Sequence, residues 1–130
     1  MKRTVFLALI ISIGVIFIVD KGSASAASAE ENYKFYCAQC HGSDGKGEGA
    51  NAKPQVVGID LPEMSVMPRN HTSPEDMNKL TDTDIKDAIS GGGASVSKST
   101  LMPPFGKTLT EKETKDLTAY LRKLCKCKGK

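Results

Sequence analysis

The residues best suited to chemistry stand together as Cys37-Ala38-Gln39-Cys40-His41. In a C-x-x-C-H pattern, each thiol can add to one of the two vinyl groups of a porphyrin, and the histidine that follows points its imidazole at the iron. The sequence therefore predicts one covalently bound haem c. Cys37 and Cys40 would form the thioethers, and His41 would be the proximal axial ligand.

Two other kinds of site use only the cysteines and leave the histidine unexplained. A thioredoxin-like redox pair would lie in a βαβ pattern, and no such pattern surrounds the motif. A structural zinc site needs a second ligand pair at zinc-finger spacing. Cys125 lies 85 positions after Cys40, and Cys125 and Cys127 are themselves at C-x-C spacing. Neither spacing matches a zinc finger well. The haem interpretation is favoured.

An iron held by one histidine has either a second axial ligand or an open position. Methionine raises the reduction potential and saturates the iron, as in an electron carrier, whereas an open position is typical of a gas binder or a catalyst. Met102 has the best context, because Pro103-Pro104-Phe105 follows it. Pro103 disfavours helical geometry at Met102, and the two prolines stiffen the strap. We predict Met102 as the distal ligand.

Other side chains remain as alternatives to Met102. Met64, Met67 and His71 are the rivals, and Met67 copies the Met-Pro element without the stiff strap. His71 lies in a polar stretch and is predicted to be a solvated loop histidine. Met77 is predicted to pack in the core, as methionine usually does. A thiolate from the C-terminal cysteines is the least favoured ligand.

Three segments with helical periodicity must position these residues. The first covers residues 30–39 and delivers the cysteines at its C-terminal end. The second covers residues 81–90, and the third covers residues 110–125, beginning with a capping box. A helical turn is expected within residues 73–79. Residues 42–80 otherwise form a long loop, which is reasonable for a segment that wraps a cofactor.

Residues 1–26 have the pattern of an export signal. A short basic region precedes an apolar run over residues 5–19, which is shorter than the roughly 20 residues that span a bilayer. Small residues permit cleavage after Ala26 or Ala29, and an uncleaved membrane anchor is the alternative. Thioether attachment takes place beyond the cytoplasmic membrane, so a periplasmic or other exported location agrees with the motif.

Charge and composition exclude several functions. Removal of residues 1–26 lowers the formal net charge from +3 to +1, and no basic stripe for nucleic acid is present. Asp44-Gly45-Lys46-Gly47 lacks the strand and helix that a phosphate loop requires and is predicted to be a turn. With neither a Ser/His/Asp set nor a carboxylate pair, the chain is predicted to be an electron carrier rather than an enzyme.

The motifs in this order resemble the class I monohaem cytochromes c, in particular the small bacterial ones. The matching segments are Cys37-Ala38-Gln39-Cys40-His41-Gly42, Asp44-Gly45-Lys46-Gly47, Met102-Pro103-Pro104-Phe105 and Leu117-Thr118-Ala119-Tyr120-Leu121-Arg122. The resemblance implies an all-α cytochrome c fold, with three to four short helices and long loops around one covalent haem. It also implies that the first and last helices cross, with Tyr33 against Tyr120 and with Ala29 as the small residue at the crossing. A backbone carbonyl, for which Pro54 is the candidate, would orient His41.

The implied function is periplasmic electron transfer between redox partner proteins. The expected organisation is a signal over residues 1–26, a cytochrome c domain over 27–124 and a Cys/Lys-rich tail over 125–130. Four lysines are candidates for steering an acidic partner to the haem edge, namely Lys46, Lys53, Lys98 and Lys107. The alternatives are a haem subunit bound to a larger periplasmic oxidoreductase and, less favoured, a gas-binding haem sensor.

Cys125 and Cys127 depart from the cytochrome pattern. They are predicted to lie in a frayed, solvated basic tail whose thiols become oxidised after export. A C-x-C disulfide within the chain is an alternative that would be strained. An intermolecular disulfide or a metal-bound contact with a partner is the other. Apart from such a contact, the protein is expected to be a monomer or a subunit of a complex.

Overall fold

A computed structural model describes residues 27–53, 59, 62 and 64–130, and the regular structure within them is helical. Helix α1 covers residues 29–41, and the later elements are α2 (Pro74–Met77), α3 (Asp82–Gly91), a 3₁₀ turn (Gly93–Val96) and α4 (Glu111–Cys125). This confirms the all-α prediction with four helices. No helix in the described ranges is long and apolar enough to cross a membrane. The predicted export signal lies outside the described residues.

The same device begins α1, α3 and α4. An N-cap hydroxyl accepts a hydrogen bond from the backbone N–H three residues on, and the carboxylate of that later residue accepts one from the N-cap N–H. These capping boxes pair Ser28 with Glu31, Thr81 with Asp84 and Thr110 with Glu113. Helix α2 begins after Ser73, with Pro74 at its first position. The helix starts therefore follow from local sequence, as predicted.

Helices α1 and α4 cross at Tyr33, whose side chain is completely buried. The ring centroids of Tyr33 and Tyr120 are 5.3 Å apart. Beside them, Asn32 Nδ2 donates a hydrogen bond of 3.3 Å to Glu113 Oε1. The core that surrounds the crossing also contains Met77, Ile85, Ile89, Leu109, Leu117, Leu121 and Cys125. The predicted crossing, the tyrosine pair and the packing of Met77 are confirmed.

Helix α1 changes its hydrogen-bonding pattern along its length. An α-helical turn, Ala29–Asn32, leads into a π-helical stretch, Tyr33–Cys37, and then into a second α-helical turn, Ala38–His41. In the π-helical stretch, the backbone N–H of Ala38 donates to the carbonyl of Tyr33 five residues earlier. Such stretches carry one extra residue per turn and often occur at functional sites. The sequence pattern does not predict this stretch, because helical periodicity assumes regular turns.

Arg122 attaches α4 to the segment that joins α2 and α3. Its guanidinium donates to the carbonyl oxygen of Met77 at 2.8 Å and to that of Leu80 at 2.7 Å. Its Nε also donates to Asp82 Oδ1 at 2.8 Å. Only 11% of the Arg122 side chain is exposed, so the two bonds to carbonyls are partly buried, whereas the bond to Asp82 reaches a carboxylate that is 61% exposed. Arg122 therefore connects three parts of the fold, namely α4, the end of α2 and the start of α3.

The C-terminal tail is attached to the body of the protein, so the prediction that it is frayed is wrong, although Lys126, Lys128 and Lys130 are exposed as predicted. Cys125 is buried and forms a disulfide with Cys127. Further along, the Gly129 N–H donates to Asn78 Oδ1 at 3.0 Å. The two thiols are thus oxidised within the chain. With that bond intact, neither is free for an intermolecular disulfide or for the iron.

We predict that Thr110→Ala lowers the free energy of unfolding by about 1 kcal/mol, because α4 loses its N-cap hydroxyl. Thr110→Ser is the matched control, since it keeps a hydroxyl at the same position. Denaturant unfolding of both variants checks the prediction. The slope of the free energy of unfolding against denaturant concentration should match that of the wild type. Equal destabilisation by alanine and serine would contradict the capping role.

Candidate haem-binding site

The C-terminal end of α1, which carries the motif, is wrapped by the loop that follows it. The last carbonyls of a helix have no partner within the helix. Here each of the last four accepts a hydrogen bond of 2.8–3.0 Å from a loop N–H. The pairs are Ala38 with Gly42, Gln39 with Asn51, Cys40 with Gly49, and His41 with Gly47. The position of the motif is therefore fixed by the backbone on both sides.

Two glycines permit this close wrapping. Gly47 has a φ of 85°, and a Cβ atom there would contact the carbonyl oxygen of Pro68. At Gly49, a Cβ atom would lie 2.5 Å from the carbonyl oxygen of Ala38.

Asp44 Oδ1 accepts a hydrogen bond of 3.1 Å from the N–H of Lys46, as in an Asx turn. The segment over residues 44–47 is thus the turn that the sequence predicted.

His41 is held in the state that an iron ligand requires. Its Nδ1 lies 3.0 Å from the carbonyl oxygen of Arg69. A carbonyl only accepts, so Nδ1 carries the proton and Nε2 is left with its lone pair. Burial lowers the pKa of His41, which favours the neutral imidazole. The carbonyl that orients His41 therefore belongs to Arg69, while the candidate Pro54 lies outside the described residues.

His71 is buried, so the prediction of a solvated loop histidine is wrong. Its side chain is 8% exposed, and its ring stacks on that of His41 with the centroids 4.1 Å apart and the planes 15° from parallel. Burial lowers the pKa of His71 well below its usual value. Two imidazoles that bind one iron from opposite sides meet it end-on. These rings lie face to face, so His71 is not placed to be the distal ligand.

The residues next to His71 in the sequence do not indicate that it is buried. Its neighbours Asn70 and Thr72 are polar, and they hydrogen-bond to each other at 2.8 Å and 2.7 Å. The family resemblance did imply that Tyr33 packs at the helix crossing, and a buried phenol needs a hydrogen-bond partner. The structure supplies that partner as His71 Nδ1, 3.0 Å from the Tyr33 hydroxyl.

The two motif cysteines are both free and partly exposed. Cys37 ends the π-helical stretch, and Cys40 lies in the α-helical turn that follows. Burial raises the pKa of the Cys37 thiol to about 11, so it is protonated at neutral pH. Two unpaired thiols beside a neutral imidazole form the donor set that a covalent haem needs.

The strap that contains Met102 is anchored to α3 and to the glycines that follow it. The carbonyl of half-buried Met102 accepts a hydrogen bond of 3.1 Å from the Gly93 N–H, and the Phe105 N–H donates to the Ile89 carbonyl at 2.9 Å. The ring of Phe105 lies 5.7 Å from that of Tyr36, centroid to centroid. Because Tyr36 directly precedes Cys37, the strap reaches the helix that carries the cysteines.

Large apolar side chains are exposed on the segments that flank the site. Val66 is 54% exposed and Met67 39%, and both shortly precede Arg69. Leu101, beside Met102, is 49% exposed. These are surfaces of the kind that an apolar macrocycle covers.

The porphyrin itself provides four iron ligands, so the protein must supply only the axial ones. In residues 27–53 and 64–130, no three His, Cys, Asp or Glu side chains form a metal cluster.

The four candidate steering lysines differ in their surroundings. Lys46 Nζ lies 3.1 Å from Asp44, and Lys53 Nζ lies 2.8 Å from Glu48. Their charges are therefore partly offset by neighbouring carboxylates. Lys98 and Lys107 are exposed and form no ion pair within the part of the chain that the structure describes. Of these four lysines, the two without an ion pair thus lie on the two sides of the Met102 strap.

Comparison with known proteins adds a family and two structural relatives. The family model for cytochrome c oxidase, cbb3-type, subunit III matches residues 24–121. The solved KustC0563 c-type cytochrome is 25% identical with a TM-score of 0.50, and the match covers 75% of this chain and 98% of that one. No curated protein matches the chain.

The second structural relative is a chain of the Kuenenia stuttgartiensis reducing HAO-like protein complex Kustc0457/Kustc0458. It is 30% identical, with a TM-score of 0.54. The match covers 76% of this chain but 42% of that one, so this chain spans less than half of that relative.

We predict that Gly47→Ala destabilises the haem-bound protein by more than about 1 kcal/mol, because a positive φ is costly for alanine. The new methyl group would also contact Pro68 and displace the carbonyl of Arg69 from His41. Denaturant unfolding measures the loss. The matched control is Lys46→Ala, which truncates a side chain that is 58% exposed and should leave stability near that of the wild type. Equal losses in both variants would refute the role of the glycine.

Proposed function

The chain belongs to the c-type cytochrome family whose model describes cytochrome c oxidase, cbb3-type, subunit III, and we propose from this that it is an exported, monohaem electron carrier with His/Met ligation. Family membership and the structural relatives support an electron-transfer haem protein. The finer assignment is that Cys37 and Cys40 hold the haem covalently, with His41 and Met102 as axial ligands.

The observation that carries this proposal is the state of His41. The imidazole is neutral, its Nδ1 proton is donated to the Arg69 carbonyl, and its Nε2 is available to iron. A carbonyl partner of this kind fixes the tautomer and raises the basicity of a histidine ligand. The two free thiols immediately before it complete the attachment site. When bound, haem supplies a ferric/ferrous couple that exchanges single electrons.

Met102 would complete the coordination. Its backbone is held by Gly93, and its two following prolines limit the freedom of the strap. A thioether presented by a stiff segment stays in place in both oxidation states, so little structure rearranges when an electron moves. Saturated iron leaves no site for a substrate, which is why we propose a carrier rather than an enzyme.

We propose an acidic redox partner for the face beside the strap. Lys98 and Lys107 are exposed there and have no carboxylate partner in the described residues. Charges of this kind steer association, and their influence falls as salt screens them. The formal net charge from residue 27 onward is only +1, so local charge contributes more to such steering than the overall charge does.

A second candidate function is supported by the Kuenenia stuttgartiensis relative. That relative belongs to a protein complex, and this chain matches 42% of its length. A related domain is therefore found within a larger assembly. This chain would then be a haem subunit that passes electrons to or from a larger oxidoreductase.

We predict that the ferric wild-type protein shows the weak long-wavelength absorption band of methionine-to-iron ligation and that Met102→Ala loses it. The reduced variant should also bind carbon monoxide, while the reduced wild type should not, because only the variant has an open iron position. Met67→Ala is the matched control, since it truncates the other Met-Pro methionine, and it should keep the band. Loss of the band in Met67→Ala instead would overturn the assignment of Met102.

We predict that the native protein is recovered from the extracytoplasmic fraction as a small monomer. Its mass should equal that of the chain from residue 27 or from residue 30 plus one haem, because we propose cleavage after Ala26 or Ala29. Mass spectrometry and gel filtration of the native material measure both. Elution with a larger protein would favour the subunit function, and retention of residues 1–26 in the cytoplasm would contradict export.

A further inference from the structure

We propose that His71 is a positioning residue that sets the orientation of the His41 imidazole plane by stacking on it. The inference rests on the proposed role of His41 as an axial ligand. It adds a second protein contact to that ligand, in addition to the Arg69 carbonyl.

His71 is itself rigidly held. Its backbone N–H donates to the carbonyl of Gly45 at 2.7 Å, which attaches it to the turn that wraps the end of α1. Its Nδ1 lies 3.0 Å from the hydroxyl of Tyr33, and the two rings meet edge to face at 5.8 Å. Tyr33 is completely buried. Because both the backbone and the ring of His71 are fixed, its flat face is a fixed surface.

The two contacts of His41 act on different parts of its imidazole. The Arg69 carbonyl holds the ring at one edge atom, Nδ1, at 3.0 Å. A flat ring at 4.1 Å, within 15° of parallel, blocks rotation directly. Arg69 therefore fixes the tautomer, and His71 adds a face contact that restrains the angle of the imidazole plane.

The chemistry of His71 distinguishes positioning from simple core filling. An aliphatic side chain would fill the same volume without a buried polar atom that needs a partner. Histidine combines a flat face with a nitrogen that the Tyr33 hydroxyl holds. Burial raises the pKa of the Tyr33 phenol, so the hydroxyl stays protonated and donates to Nδ1 in the His71 tautomer protonated at Nε2. The core at the helix crossing is in this way connected to the proposed iron ligand.

The test uses the haem-bound protein in its ferric form. In low-spin ferric haem, the paramagnetic shifts of the four haem methyl groups depend on the orientation of the axial ligand planes. We expect His71→Leu to change the order or the spread of these shifts, because the flat face is lost while the volume is kept. His71→Phe keeps a flat ring and should stay closer to the wild-type pattern. Tyr33→Phe keeps the fold's aromatic core and should give a smaller change in the same direction as His71→Leu.

Two controls separate the possible failures. Ile85→Val, a core truncation on α3, shows how far the shifts move when the protein is merely destabilised, and it should leave them near wild type. Shifts in His71→Leu no larger than those in Ile85→Val would overturn the proposal. A wild-type protein without low-spin His/Met signals would instead overturn the proposed ligation. If His71→Leu fails to retain haem, Tyr33→Phe becomes the test variant. An unchanged pattern of haem methyl shifts in Tyr33→Phe would then overturn the proposal.

Discussion

The burial of one phenol hydroxyl is the constraint on which the rest of the structure depends. Tyr33 is completely enclosed where α1 crosses α4, and a buried hydroxyl without a partner would destabilise the fold. The hydrogen bond to His71 satisfies it, and His71 in turn lies against His41. A single side chain thus joins the helix crossing, the loop after the motif and the proposed iron ligand. The packing of α1 against α4 and the orientation of His41 consequently depend on the same contacts.

Features that depend on neighbouring residues were predictable from sequence. The capping box of Thr110 and Glu113 needs only residues three apart, and the helix starts within a residue of the expected position. The turn at Asp44 is equally local. The contact of Tyr33 with Tyr120 spans most of the domain and was expected only because the motifs resemble a known family.

Features that depend on distant backbone were not predictable. The Arg69 carbonyl is 28 residues from His41, and any residue type offers a carbonyl, so no side chain marks it. Arg122 hydrogen-bonds to the backbone carbonyls of Met77 and Leu80. The sequence does not indicate these acceptors either, because every residue has a carbonyl. The polar neighbours of His71 predict exposure to solvent, but Asn70 and Thr72 hydrogen-bond to each other and leave His71 buried.

The π-helical stretch Tyr33–Cys37 has a consequence for the placement of the motif that follows it. Each residue of an α-helix turns the chain by roughly 100°, so the one additional residue in this stretch rotates everything after it by about that angle. The part of α1 before the stretch faces α4, and the part after it faces the loop over residues 42–53. A regular α-helix over the same residues would swing both thiols and the imidazole away from the positions that they now hold. The placement of the motif therefore depends on this wide turn as much as on the motif residues themselves.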